Sequence, residues 1–294
     1  MREVTYIDDQ ELIKLEFDSL WELIDYLKNH RYNLDFSGRD SEEGSFQFTG
    51  THSYGEAENL CLYGGSKSEF EKFIHLKETL DSSLEEKRLR NVQYNDFIGE
   101  VPNVPLYLMG YPLNMIRQEK EEIIEDKVID IYYNVAAAAY NRKEQMFNRG
   151  VIALSLIDYL ESMGYKVNLC LFELSFEPYS KQIVYYKFNL KTIDEQSDYR
   201  TLFFPLTHPS FLRRILFKLL EKTDGLRPSW STGYGRPADL SLIKKIIPNA
   251  NGRQFIFYDP QSMGIYGENL EEDFRRCVGD LKVEEVIKEN KNKR

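Results

Sequence analysis

Cysteine is scarce: Cys61, Cys170 and Cys277 stand far apart along 294 positions. An odd, scattered set supplies neither a disulfide framework nor the close pairs of a zinc site. It points to a reducing, cytoplasmic setting, with Cys170 read as a small buried hydrophobe within the apolar run 167–172. Of the four histidines, His30 and His75 lie in charged surroundings without a partner at metal-ligand spacing. No apolar run approaches the ~20 residues of a membrane helix. The N-terminus carries Glu3, Asp8 and Asp9 where a secretory signal would place a basic segment and then an apolar one. Positive charge is in deficit, with 38 Lys and Arg against 48 Asp and Glu and a formal charge of −10. That balance argues against direct nucleic-acid binding by the chain as a whole. It suits docking on a protein that itself binds nucleic acid. Repeats, low-complexity tracts, a phosphate-binding P-loop, a dinucleotide fingerprint and a Gly-x-Ser-x-Gly elbow are all missing. No motif asks for a cofactor or a metal.

What is present describes a globular chain, 42% hydrophobic and 29% charged, with 20 Tyr and 18 Phe. The length suits one large domain or two ordinary ones. An N-terminal mixed α+β module is expected over residues 1–115. Its helices are read at 17–27, with Asp18 or Ser19 as cap, at 53–62, with Ser53 and Glu56 at capping-box spacing and Gly64-Gly65 as stop, and at 69–90. A short strand is expected at 45–49. Pro102, Pro105, Gly110 and Pro112 punctuate 99–115, a loop region and a seam between modules. Residues 119–126 form an acid-rich turn or helix.

A C-terminal α/β domain is expected over 120–294. Strands are read at 127–133, 166–175, 182–190, 199–206 and 253–258, the second and third as a hairpin. Helices are read at 143–163, closed by Gly164, and at 209–222, 238–247 and 270–277. This is the grammar of a mixed sheet covered by helices, von Willebrand factor A-like or Rossmann-like.

Residues 128–172 present a strand, a short loop, a helix ending in Gly and an apolar strand. They resemble the opening of a von Willebrand factor A-type domain. That family holds a divalent metal with Asp-x-Ser-x-Ser in the loop; here the matching residues are Asn134-Val135-Ala136-Ala137-Ala138. The resemblance therefore implies a metal site without its ligands. Four further segments carry a broader likeness: Phe48-Thr-Gly-Thr-His-Ser-Tyr54, Pro102-Asn-Val-Pro-Leu-Tyr-Leu-Met-Gly-Tyr-Pro112, His208-Pro-Ser-Phe-Leu-Arg-Arg214 and Gly233-Tyr-Gly235. They resemble a family of tailed-phage proteins with no stated biochemical role. Phage proteins of this size and acidity include inhibitors of bacterial defence complexes, such as the Gabija anti-defence proteins.

Candidate chemistry collects in two places. His208 stands before a helix start, where free N–H groups favour anions, and Arg213 and Arg214 follow a turn later, able to clamp phosphate or carboxylate. The simpler alternative has His208 capping the helix and one arginine pairing with Glu221 or Asp224. The loop Ser229-Trp-Ser-Thr-Gly-Tyr-Gly-Arg-Pro237 offers Trp230, Tyr234 and Arg236 to a ligand or partner, or serves only as a turn. His52 among three hydroxyls reads as a loop feeding the helix capped by Ser53.

The sequence favours a phage-encoded, non-catalytic binding protein that acts on a host protein complex, inhibits an anti-phage defence system and self-associates. One alternative is an enzyme or phosphate-ligand binder centred on His208, Arg213, Arg214 and Arg236. The other is a structural component of the phage particle.

Overall fold

The structure is a computed structural model, and it describes residues 2–36, 39–83, 93–96, 101–118, 128–177, 179–227, 234, 237–247, 254–265 and 267–281. The chain opens on a hairpin of β1 (Arg2–Ile7) and β2 (Gln10–Phe17). Asp8 and Asp9 turn it at φ of 48° and 61°, the left-handed pair that a tight hairpin turn requires and that aspartate tolerates. Ser19 accepts from Glu22 N at 3.1 Å and starts α1 (Leu20–Asn29). Leu20, Leu23, Ile24 and Leu27 form its buried stripe. Two helical turns follow, α2 (Asp40–Glu43) and α3 (Phe46–Thr49). The strand expected at 45–49 is helical because Ser45 caps Phe48 N and Gly50 closes the turn at φ 88°. Ser53 caps α4 (Tyr54–Tyr63), Gly64 ends it at φ 78°, and α5 (Lys67–Ser83) succeeds it.

A small second sheet of order β3-β5-β4 is made by β3 (Gln93–Asp96), β4 (Val101–Pro102) and β5 (Met115–Gln118). Between β4 and β5 sits α6 (Val104–Leu108). The acid-rich stretch 119–126 lies outside the described residues.

The larger half runs β6 (Val128–Asn134), α7 (Lys143–Ser162), β7 (Lys166–Glu177) and β8 (Gln182–Lys191). It continues through α8 (Tyr199–Thr207), a π-helical segment at Phe211–Leu216, α9 (Phe217–Lys222) and α10 (Leu240–Ile246). It closes with β9 (Gln254–Phe257), α11 (Pro260–Met263) and α12 (Leu270–Asp280). The stretch 199–206, expected as a strand, is the helix α8. The apolar run 202–206 fits a buried helix as well as a buried strand, and Asp198 decides the matter by accepting from Arg200 N at 3.0 Å and Thr201 Oγ1 at 2.8 Å.

The fold is mixed α/β. One six-stranded sheet has the order β1-β2-β8-β7-β6-β9. β6 lies parallel to β7 and β9, and β7 and β8 form the expected antiparallel hairpin. β2 runs parallel to β8 from Glu11↔Gln182 to Phe17↔Phe188. The first strands therefore belong to the sheet of the C-terminal half, and Ile13, Leu23 and Phe73 share one core with Ile131, Val151 and Leu169. The two modules expected from the punctuation at 99–115 are joined by this sheet and core. On the opposite face Phe172, Leu174, Ile183 and Tyr185 pack with Ile243 of α10. Among the described residues no helix is long and apolar enough to cross a membrane.

The approach of α8 to α7 sets the tightest constraint on side-chain size. A Cβ on Gly150 would meet Leu206 O at 2.3 Å and Leu206 C at 2.7 Å. Backbone cannot yield as a side-chain tip can. Gly150→Ala is expected to destabilise the chain by about 1–3 kcal/mol, measured by urea unfolding.

Candidate functional site

His208 lies in the break between α8 and the π-helical segment, 6% exposed and stacked on Phe204 at 4.9 Å. Ser210 N donates to its Nδ1 at 3.2 Å, which leaves the proton on Nε2, 3.6 Å from Glu69 Oε1. Burial holds its pKa below the usual histidine value against the pull of Glu69. His208 is the C-cap of α8, its N–H donating to Phe204 O at 2.9 Å, while its ring takes up Ser210 N ahead of the π-helical segment.

The two arginines do not converge with it on an open anion site. Arg213 donates to Phe48 O at 2.7 Å and Asn141 O at 2.9 Å, its guanidinium lying over the Phe48 ring. Arg214 is fully buried. It donates to the carbonyls of Ser41 at 2.9 Å, Glu42 at 2.7 Å, Gly44 at 2.7 Å and Thr51 at 3.2 Å. The terminal amino groups that would clamp a phosphate are turned onto backbone carbonyls instead. Neither arginine takes up Glu221, which accepts from Ser41 N at 3.0 Å and Ser41 Oγ at 2.6 Å. Tyr234 packs edge-on against Phe217 at 5.3 Å and Phe36 at 6.0 Å. Trp230 and Arg236 lie outside the described residues.

At the carboxyl ends of β6 and β9, where open α/β sheets usually bind ligands, the crevice is plugged. Arg149 donates to Asn134 O at 3.1 Å, Phe257 O at 3.3 Å and Tyr258 O. The cavity left there is about 20 Å³, room for one water at most. Asn134, which stands where the von Willebrand pattern has its first acid, turns its Oδ1 onto Ala136 N at 3.0 Å. Among the described residues no group of three His, Cys, Asp or Glu could hold a metal.

Two features escaped sequence reading. The first is a polar cleft. β8 outruns β2, whose last pair is Phe17↔Phe188, and the gap left beside α1 is a cleft of about 550 Å³. Asn168 Nδ2 donates to Asp130 Oδ1 at 2.7 Å, and Asn189 Nδ2 to Asp18 Oδ1 at 2.9 Å. Cys170 donates to Asn189 Oδ1 at 3.2 Å, its thiol pushed up to about 11 by burial. Trp21, 63% exposed, stands on the lining.

The second is an apolar tip on the small sheet. Asn103 N donates to Asn114 O at 2.7 Å and Tyr111 N to Leu106 O at 3.0 Å, so the loop around α6 is closed on itself. Gly110 makes the turn at φ 75°. None of the residues of α6 is buried. Tyr107, Leu108, Met109 and Tyr111 are 65%, 78%, 72% and 59% exposed. Residues 101–116 carry no charged side chain in a chain that is 29% charged. The loop expectation at 99–115 did not extend to this surface, although the charge-free run was readable.

Residues 3–289 match the family described as Domain of unknown function (DUF7192). The chain belongs to this family. No curated protein and no solved structure matches it.

Among the described residues, this DUF7192 chain also buries two acids, Glu173 and Glu177, that form no ion pair. Glu173 and Glu177, 1% and 0% exposed, each keep one carboxylate oxygen without a hydrogen-bond partner. Burial raises the Glu173 carboxyl to about 7, with Ser175 Oγ at 3.0 Å opposing the shift. Unfolded, it titrates near the ordinary value of about 4.3. The native state thus holds the proton more tightly, and this contribution to stability is lost as pH rises from about 4.3 through about 7. Glu173→Gln should leave stability unchanged at pH 4 and raise it at pH 8 by up to about 3 kcal/mol, read from urea curves at both pH values.

Arg214→Ala is expected to cost about 3 kcal/mol or more, because several buried carbonyls lose their donor at once. Thermal melting should fall by on the order of 10 °C. Arg214→Lys should recover only part of the loss, since one ammonium cannot span carbonyls from four residues.

Proposed function

We propose that this chain is a phage-encoded, non-catalytic binding protein that docks on a host protein complex and inhibits an anti-phage defence system. The observation that carries the docking is the tip, uncharged over 101–116 and exposed around Tyr107, Leu108, Met109 and Tyr111. A contiguous apolar surface left open on a highly charged chain is the usual mark of an interaction site. Fully burying a Leu or Met side chain against a partner is worth about 1.5–3 kcal/mol. Tyr107 and Tyr111 add aromatic area with few rotamers to lose. The tip's own hydrogen bonds hold it in shape before binding, which lowers the ordering cost.

The chemistry of the tip selects the partner. It calls for an apolar, uncharged recess on a protein. An anionic membrane is disfavoured by the chain's charge of −10. Nucleic acid is disfavoured by the same charge and by the absence of any cation in the tip. The phage source and the host target rest on the likeness to tailed-phage proteins and on size and acidity. The small-ligand alternative around His208 loses its main support, because Arg213 and Arg214 already bind backbone.

The test uses the full chain as tagged bait in a bacterial lysate, with the double variant L108E/M109E beside it. Both positions are exposed, so the variant should melt as the parent does. The expected result is a protein complex that the parent recovers, and that binds the purified variant at least about 30-fold more weakly. A complex recovered equally by both baits, or none recovered by the parent, overturns the reading.

A further inference from the structure

We propose that the cleft at the end of β8 binds an uncharged ring compound carrying vicinal hydroxyls. This site is separate from the docking tip and does not depend on it.

The first ground is the way its polar groups are arrayed. Asp130 and Asp18 each use one carboxylate oxygen to hold an amide, Asn168 at 2.7 Å and Asn189 at 2.9 Å. Each carboxylate has a second oxygen to offer. A hydroxyl donates one proton and accepts at its lone pairs, so it can give to a carboxylate and take from an amide N–H at the same time. Neighbouring hydroxyls on a ring suit such carboxylate–amide pairs, and two pairs are present on the one lining.

Charge excludes the main competitors. Carboxylates facing the cleft repel phosphate or carboxylate ligands. Two lysines on the lining stand against Asp18, Asp130 and Glu195, and both face other acids: Lys191 Nζ meets Glu161 at 2.8 Å and donates to Val167 O at 3.0 Å, and Lys187 Nζ lies 3.9 Å from Glu16. Cys170, a neutral thiol bonded to Asn189, adds no anionic nucleophile.

Shape supplies the rest. A volume of about 550 Å³ lies within the range of small-molecule sites, roughly 300–1,000 Å³. Trp21 presents an exposed indole to the same space, a flat apolar surface for one face of a ring. Such a ring could be the ribose of a nucleoside or a free sugar.

Ligand-observed saturation-transfer NMR on the full chain separates the two sources. The probes are adenosine, 2′-deoxyadenosine, which lacks the vicinal pair, and methyl β-glucopyranoside. Adenosine binding without 2′-deoxyadenosine binding identifies a nucleoside site; glucoside binding identifies a sugar site. Trp21→Ala and Asp130→Asn should each weaken the bound probe by about tenfold or more. Trp21→Ala removes an exposed side chain and should leave the melting temperature unchanged, so its loss of binding reports contact rather than unfolding. No transfer to adenosine or glucoside at millimolar concentration overturns the proposal. Equal transfer to adenosine and 2′-deoxyadenosine without glucoside binding, or transfer that survives both substitutions, also overturns it. The variant L108E/M109E should bind the probe as the parent does, which keeps this test apart from that of the docking tip.

Discussion

The guanidinium of Arg214 is the interaction on which the arrangement of the N-terminal segment depends. Residues 40–51 make only short helical turns, and short turns leave carbonyl oxygens without intrahelical donors. Four of those oxygens, from Ser41, Glu42, Gly44 and Thr51, converge on the one side chain. Burying a guanidinium is costly unless its N–H groups are satisfied, and burying loop carbonyls is costly for the same reason. Each need answers the other. The rest of the chain from 207 to 223 repeats the device: Ser210 Oγ donates to Thr49 O at 2.5 Å, and Lys222 Nζ to Leu27 O at 2.5 Å and His30 O at 2.6 Å. In return, Asn33 Nδ2 donates to Thr223 O at 3.1 Å.

These bonds explain why a basic helix became a structural support rather than an anion site. Sequence places His208, Arg213 and Arg214 within one another's reach but cannot say which acceptors come from 165 to 173 residues away. Parallel pairing of β2 with β8 completes the join between the two ends of the chain. With sheet and clamp together, the first 83 residues cannot be detached as a module without exposing Ile13, Leu23 and Phe73. The tip at 101–116 is different. No residue of α6 is buried, and its backbone bonds close on the tip itself. Its apolar side chains thus contribute little to folding and remain available to a partner.

Local chemistry was readable where a single residue decides the structure. Ser19 and Ser53 start their helices by accepting from the residue three positions on, and Gly164 stops α7 at φ 80°. It failed where tertiary packing decides. Residues 202–206 offer an apolar run with no periodicity, and a capping aspartate at 198 outweighed the β-like composition. The hairpin β1–β2 was missed because only β2 has a buried face; β1 pairs its backbone while leaving all six of its side chains exposed or half-buried. The cleft was beyond sequence reading altogether. Its polar groups come from positions 18, 130, 168 and 189, two of them paired across 171 residues.

The position of that cleft follows from the same competition for backbone partners. In an open sheet with parallel strands, the carboxyl ends present unpaired carbonyls and a natural crevice. Here Arg149 occupies them, bonded to Asn134 O and Phe257 O, with its guanidinium over the Tyr133 ring at 4.6 Å. The site a ligand would ordinarily take is filled by a side chain of α7. Open space remains where the strands differ in length: β8 continues to Lys191 after β2 has turned into α1 at Leu20. The mismatch leaves no strand on the β2 side of the last residues of β8, which pair with the amino end of β7 on the other side. Asn189, with no β2 residue beside it, donates to Asp18 instead, while Asp130 and Asn168 bond across the paired strands β6 and β7. The fold thus closes its customary crevice with arginine and leaves another open where β8 outlasts β2.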